Sequence, residues 1–277
     1  MSDVITEKTR ATPNVRQRAA AGIRPSDVVA GGRVFVRGAA GLAAVAAIWQ
    51  IAPTIGLVDD YFVPPLSEVL AAWAQLIADG TLFGHLDASL RRAATGFVLA
   101  VAAGIPLGLA VAWYRPVYDA LNPVLELFRN TAALALLPVF TLVLGIGEVS
   151  KVALIAFACF FPVLLTTASG VRTVDPALLK VARALDLPDG VTFAKVVLPA
   201  AVPTIFAGLR MAAAGSILVL IAAEMIGATS GLGYLISSSQ QSFRIPEMYA
   251  GILTISLLGL GINSAMVRLE GRLTAWR

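Results

Sequence analysis

The sequence predicts an all-α, polytopic membrane protein with about six transmembrane helices. Three observations carry this. The 277 residues are 58% hydrophobic and only 14% charged, where a soluble domain carries about 25% charged residues. Several windows of about 20 residues hold almost no charge, the length that crosses a hydrocarbon core about 30 Å thick. Alternating segments of about ten residues, which would signal a transmembrane β-barrel, do not occur in the sequence.

Residues 1–33 are polar and basic, with Lys8, Arg10, Arg16, Arg18 and Arg24 among Pro, Gly and Ser. This composition predicts a cytoplasmic tail without fixed structure. The basic region is too long for a secretory signal, and the apolar run after it is long enough to span. Residues 34–277 then form the transmembrane domain, with a first span over 35–56. Pro64 and Pro65 interrupt the chain. Ser67 is placed to cap an amphipathic helix over 68–78 with Glu68 in its first turn, and this helix is too short to span. Further spans are expected over 90–113, 131–148, 151–171, 201–225 and 247–267, with VYDALNPVLELF (117–128) a mixed helix leading into the third. Pro106, Pro138 and Pro162 fall inside spans as expected kinks. Gly104, Gly108, Gly208, Gly215, Gly251, Gly259 and Gly261 would let helix backbones approach closely.

Six spans put both termini on one side. With the N-terminus inside, only Arg91, Arg92, Lys151 and Arg244 of the 21 basic residues lie outside. That bias places both termini, and the charged stretch 174–199, in the cytoplasm. The net charge of +4 therefore reports orientation in a lipid bilayer and gives no reason to invoke nucleic acid. Cys159 is the single cysteine and His85 the single histidine, which excludes an intrachain disulfide and a His/Cys metal cluster.

The stretch VDPALLKVARALDLPDGVTFAKVVLP (174–199) is built as a unit. Asp175 is a helix N-cap and Pro176 suits the first turn. Leu178, Leu179, Ala182 and Leu185 fall at helical spacing on one side, with Lys180, Arg183 and Asp186 on the other. Pro188 ends this helix. Asp189 is placed to cap a second one over 190–198, which presents Phe193, Val196 and Val197, and Pro199 opens the next span. Two readings stand at this point: an interfacial linker resting on lipid headgroups, or a docking helix for a groove on a soluble partner.

Polar residues within spans are costly and therefore informative. Glu224, near the outer end of the fifth span, suits pairing with another helix, a gate or scaffold position along a path, or snorkelling to the interface. Arg129, Asn130 and Thr131 open the third span. Arg129 there can steady an anion or serve as an inside anchor. Ser216, Thr166 and Thr167 can line a path or bond back to their own helix.

The spacing within 174–199 resembles the EAA loop of ABC importer permeases: Glu-Ala-Ala, three residues, Gly, nine residues, Ile, one residue, Leu-Pro. Here Lys180, Val181 and Ala182 take the first three places, Asp186 the glycine, Val196 the isoleucine, and Leu198 and Pro199 the closing pair. Lys180 stands for an acid and Asp186 for a glycine. The stretches FVPPLSEVL (62–70), LFRNTAALALLPVFTLVLGIGEVSKV (127–152), LPAAVPTIFAGLRMA (198–212) and AAEMIGATSGLGYLI (222–236) look like the nitrate, sulfonate and taurine branch.

The resemblance covers roughly 62–270 and implies a type I importer permease in the bacterial cytoplasmic membrane. It implies two permease copies, usually identical, forming the translocation path. It also implies ABC ATPase subunits that bind ATP and magnesium, and an extracytoplasmic solute-binding protein. By the same resemblance Lys180, Val181, Ala182, Arg183, Leu185, Asp186, Phe193, Leu198 and Pro199 would contact the ATPase. The cargo would be a small anion such as an aliphatic sulfonate, taurine or nitrate, although other members of the branch carry bicarbonate, aromatic or heterocyclic compounds. The chain has no GxxxxGK[ST] phosphate loop, so it should be neither an enzyme nor a cofactor binder. An ion-coupled secondary transporter would show inverted repeats and mid-depth carboxylates, and a membrane enzyme a polar catalytic cluster; neither pattern is evident.

Overall fold

The structure is a computed structural model describing residues 25–129 and 131–273. The chain divides between Asp60 and Tyr61 into two units. The first contains helix α1, Pro25–Thr54. It begins before the expected boundary at residue 34, so part of the expected tail is helical; residues 1–24 lie outside the described residues.

The second unit opens with α2, Leu66–Ala78, whose N-cap is Pro65. Ser67 thus sits within the first turn and does not cap it, because the proline already fixes an extended backbone one residue earlier. Val69, Ala72 and Leu76 form the buried face of α2. Helix α3 runs from Thr81 to Trp113 and starts well before the expected 90. After α4, Arg115–Arg129, comes a short 3₁₀ turn, Ala133–Leu136, and then α5, Leu137–Leu144. The mixed helix expected to lead into the third span is therefore set off from it by an 86° bend, and before α6 the expected 131–148 is helical only over Ala133–Leu144. Pro138 lies in the first turn of α5, where its missing N–H costs nothing; it starts a helix and does not kink one.

Helix α6 spans Glu148–Arg172 and contains Pro162. Then follow α7, Pro176–Ala184, and α8, Asp189–Thr192. Helix α8 passes through a π-helical turn, Phe193–Val197, directly into α9, Leu198–Met225. The expected second loop helix is thus not a separate piece: Asp189–Met225 is one 37-residue helix. Pro199, lacking an N–H, sits just after a turn whose wider hydrogen-bond spacing accommodates it. Pro188 is the N-cap, with Asp189 in the first turn. Helices α10, Leu232–Gln241, and α11, Ile245–Leu273, complete the unit.

Trp73 of α2 donates its indole N–H to Thr254 Oγ1 of α11 at 3.0 Å, so α2 rests on protein as well as facing outward. Among the described residues four helices are long and apolar enough to cross a membrane, and a fifth counts if the bent pair α4–α5 is one span. Helix α1 is not among those four.

The core lies where α3, α6 and α9 meet. Ala93, Ala100, Ile155, Val163, Ala212 and Leu220 are buried there, and Cys159 is an inert packed thiol with its sulfur 3.5 Å from Ala212 O. Small residues on α3 make this contact possible. A Cβ on Gly96 would lie 2.7 Å from Ile155, and one on Gly108 would lie 2.7 Å from the Leu164 carbonyl. Gly104 and Gly251 are similarly tight, whereas Gly215 and Gly261 face open space within this chain.

Gly108→Val should lower stability by about 2 kcal/mol, since a backbone carbonyl cannot step aside. Gly84→Ala on the same helix, where nothing lies within 4 Å, should be neutral or slightly stabilising. Thermal unfolding in detergent compares the two.

Candidate functional site

Two regions at opposite ends of the helices carry the chemistry. The first is the 174–199 segment. Asp175 Oδ1 accepts from the Ala177 N–H at 2.8 Å, capping α7 as the sequence predicts. Ala182 is buried, and Leu179 packs on the cluster of Val174, Val197, Ala201 and Ile205. The expected single apolar side is split, because Leu178, Val181 and Leu185 are 45%, 57% and 65% exposed. These three recur at helical spacing and form an outward apolar strip, with Lys180 and Arg183 exposed beside it. Phe193 packs edge-on against Trp113 at 4.8 Å. A cavity of about 610 Å³ lies beside them, lined by Pro106, Leu109, Tyr114 and Gly190.

Asp186 has φ 48°, one of two non-glycine residues with positive φ among the described residues. The Leu187 N–H bonds to Ala182 O at 3.1 Å and the Asp186 N–H to Arg183 O at 3.0 Å. That is a Schellman ending of α7, whose left-handed position usually takes glycine. The glycine of the loop pattern falls at this residue for that reason, and aspartate is among the few side chains that tolerate the conformation.

The second region is charged and centres on Arg92, which is only 4% exposed. Its Nε and Nη2 donate to Glu148 Oε2 and Oε1, both at 2.6 Å. Its Nη1 donates to Glu224 Oε1 at 2.7 Å and to Ser230 O at 2.6 Å. Glu224 is fully buried and also accepts from Ser89 Oγ and from the Gly233 N–H, each at 2.9 Å. Lys151 Nζ donates to Gly147 O and Gly227 O.

The α9–α10 turn is bonded throughout. Ser89 Oγ accepts from the Leu232 N–H at 2.8 Å, and His85 Nδ1 accepts from the Gly231 N–H at 3.1 Å. Gly231 has φ 117°, and a Cβ there would overlap the Glu224 carboxylate. Arg92 and Trp113 are 21 residues apart on one helix, about 32 Å at 1.5 Å per residue. The charged cluster therefore sits about one hydrocarbon thickness from the loop end of the molecule.

Of the expected path residues, Glu224 belongs to this cluster. Ser216 is buried and donates to Ala213 O on its own helix. Thr131 donates to Leu127 O at 3.1 Å and lines a pocket of about 260 Å³ with Phe128, Phe157, Phe161 and Met211. The side chain of Arg129 and the whole of Asn130 lie outside the described residues. Thr166 and Thr167 bond back to Pro162 O and Val163 O. Among the described residues, Thr131, Ser216 and Glu224 are thus not gathered at one place. Sequence reasoning took Arg92 and Lys151 only as outward charges. The available signal was register: Arg92 lies four residues before Gly96 on the stripe that continues through Ala100, Gly104 and Gly108.

Several helices long and apolar enough to cross a membrane, with an exposed amphipathic loop at one end, mark a polytopic membrane protein. The chain belongs to the family described as binding-protein-dependent transport system inner membrane component, which matches residues 104–275. It is 37% identical to a protein named as an aliphatic sulfonates transport permease, SsuC of Bacillus subtilis, over 85% of each chain. It is 35% identical to the taurine transport system permease protein TauC of Escherichia coli, over 85% of this chain and 87% of that one. A nitrate import permease is also related, so the chain falls in the nitrate, sulfonate and taurine branch. The fold matches a chain of the inward-facing MetNI methionine ABC transporter with a TM-score of 0.62 at 16% identity, covering 70% of this chain and 96% of that one. The protein is an ABC importer permease with the type I fold and is not itself an enzyme.

Two outcomes follow from the geometry. Asp186→Gly should raise stability by about 0.5–1 kcal/mol, because glycine removes the left-handed penalty, whereas Asp186→Val should lower it; chemical denaturation reads both. Arg92→Met should cost about 3–5 kcal/mol by leaving Glu224 buried without its cation, and Arg92→Met with Glu224→Gln should recover part of that loss in the same assay.

Proposed function

We propose that this permease carries a small anion of the sulfonate, taurine or nitrate class inward across the bacterial cytoplasmic membrane. The 174–199 segment couples it to a separate ABC ATPase subunit, which binds ATP and magnesium. A second, identical copy completes the path, and an extracytoplasmic solute-binding protein delivers the cargo to the face bearing the Arg92 cluster. Both termini are then cytoplasmic, with α1 and the α4–α5 pair completing six spans.

The observation that carries the coupling role is the exposed strip Leu178, Val181 and Leu185 on α7, flanked by Lys180 and Arg183. Three large apolar side chains at helical spacing with cations beside them suit a helix-in-groove contact. From Asp189 the segment runs through α8 and the π turn into α9 without a break, and Leu179 of α7 packs on Val197, Ala201 and Ile205 of that helix. A push on the loop therefore reaches the bilayer-spanning part as rigid-body motion. The anion class is supported by the names of the relatives.

Co-expression with the cognate ATPase and binding protein tests this reading. The ATPase should co-elute with the permease, and its activity should rise when loaded binding protein is added. Leu185→Asp, which places a charge at the most exposed position of the strip, should cut uptake by about tenfold or more with membrane insertion unchanged. Unaltered uptake in that variant, or failure of the ATPase to associate, would refute the coupling role.

A further inference from the structure

The cluster around Arg92 contains two cations, Arg92 and Lys151, and two carboxylates, Glu148 and Glu224. The two acids are not equivalent. Glu224 is fully enclosed and holds Arg92, Ser89 and Gly233 together, whereas the Glu148 side chain is 65% exposed. Glu148 is also the first residue of α6, directly after Gly147, around which a Cβ would meet nothing within 4 Å. A rotation about its own side-chain bonds takes this carboxylate into solvent. The Arg92–Glu224 pair then remains, and Lys151, itself only 3% exposed, leaves the site with one net positive charge that no carboxylate balances.

We propose that the place held by the Glu148 carboxylate is a seat for a monovalent oxyanion, with Glu148 acting as its built-in stand-in and cover. Its bonds to Nε and Nη2 use the guanidinium edge that takes two oxygens of one planar or tetrahedral anion side by side. Ser230 Oγ, 3.1 Å from Nη2, lies at the same edge. The opening turn of α6 adds the positive end of its dipole. The remaining nitrogen, Nη1, stays committed to Glu224 and Ser230 O, so the guanidinium is held in place whether or not the seat is filled. The charge balance admits one negative charge, which fits a sulfonate or nitrate and disfavours a divalent anion. This inference rests on reading the cargo as an anion, for which the seat would be a first contact on the outer side.

The test uses the full-length chain in lipid nanodiscs, titrated calorimetrically with sodium ethanesulfonate and sodium nitrate at fixed ionic strength. Glu148→Ala should bind both anions about tenfold or more tightly than wild type, in line with two charge-assisted hydrogen bonds becoming available. Glu148→Gln, which keeps one acceptor, should show a smaller gain and carries the test if the alanine variant folds poorly. Asp119→Ala makes the same charge change at an exposed site on α4 and should bind as wild type does. No gain in either Glu148 variant, or an equal gain in Asp119→Ala, overturns the seat. Absence of nitrate, taurine and ethanesulfonate uptake by the reconstituted wild-type transporter would instead refute the cargo reading, leaving the calorimetry to decide the seat by itself.

Discussion

A guanidinium inside an apolar bundle has to be neutralised by groups brought to it, and here that requirement fixes where α6 begins and α9 ends. Arg92 sits on the small-residue face of α3 that packs against α6. Its partners come from the first turn of α6, from the last turns of α9 and from the turn that follows α9. Breaking a buried ion pair by losing one partner costs several kcal/mol, so these ends are held in a single arrangement. The glycines on α3 are part of the same constraint. Without close contact along Gly96, Gly104 and Gly108, Arg92 and Glu148 could not meet at 2.6 Å.

At the opposite end the design differs. The 174–199 segment is anchored by few buried residues, chiefly Ala182 and Val197, and it shows large apolar side chains to the outside. A helix end that is underpacked on one face and capped firmly at both ends, by Asp175 and by the Schellman turn at Asp186, keeps its shape while leaving its surface available. The rigid charged end and the exposed apolar end are joined by α9, whose last turns contain Glu224 and whose first turn contains Pro199.

Much of this was legible in the sequence where the signal is local. Hydropathy located the long helices, and the Asp175-Pro176 start of α7 followed from capping rules. Composition could not foresee what depends on distant partners. Arg92 and Glu224 are 132 residues apart, and neither residue alone reveals the other. The 86° bend between α4 and the 3₁₀ turn falls within a stretch whose hydropathy reads as continuous. The joining of α8 to α9 was missed because Pro199 looks like a helix breaker, and only the π turn before it removes the conflict. The split face of α7 shows a similar limit. Periodicity identified four apolar residues but could not say that Ala182 faces the core while Leu185 faces away.

The uninterrupted length of Asp189–Met225 has a mechanical consequence. At 1.5 Å per residue its 37 residues make a rod about 55 Å long, which tilting by about 5° about its midpoint would shift by about 2.4 Å at each tip. A displacement of that size exceeds what hydrogen bonds of 2.7–2.9 Å around Glu224 tolerate. The far tip therefore cannot swing independently of its neighbours. Any torque applied at the loop must turn α3, α6 and α9 together as one oar blade, and the slip has to occur at surfaces where this trio meets something else.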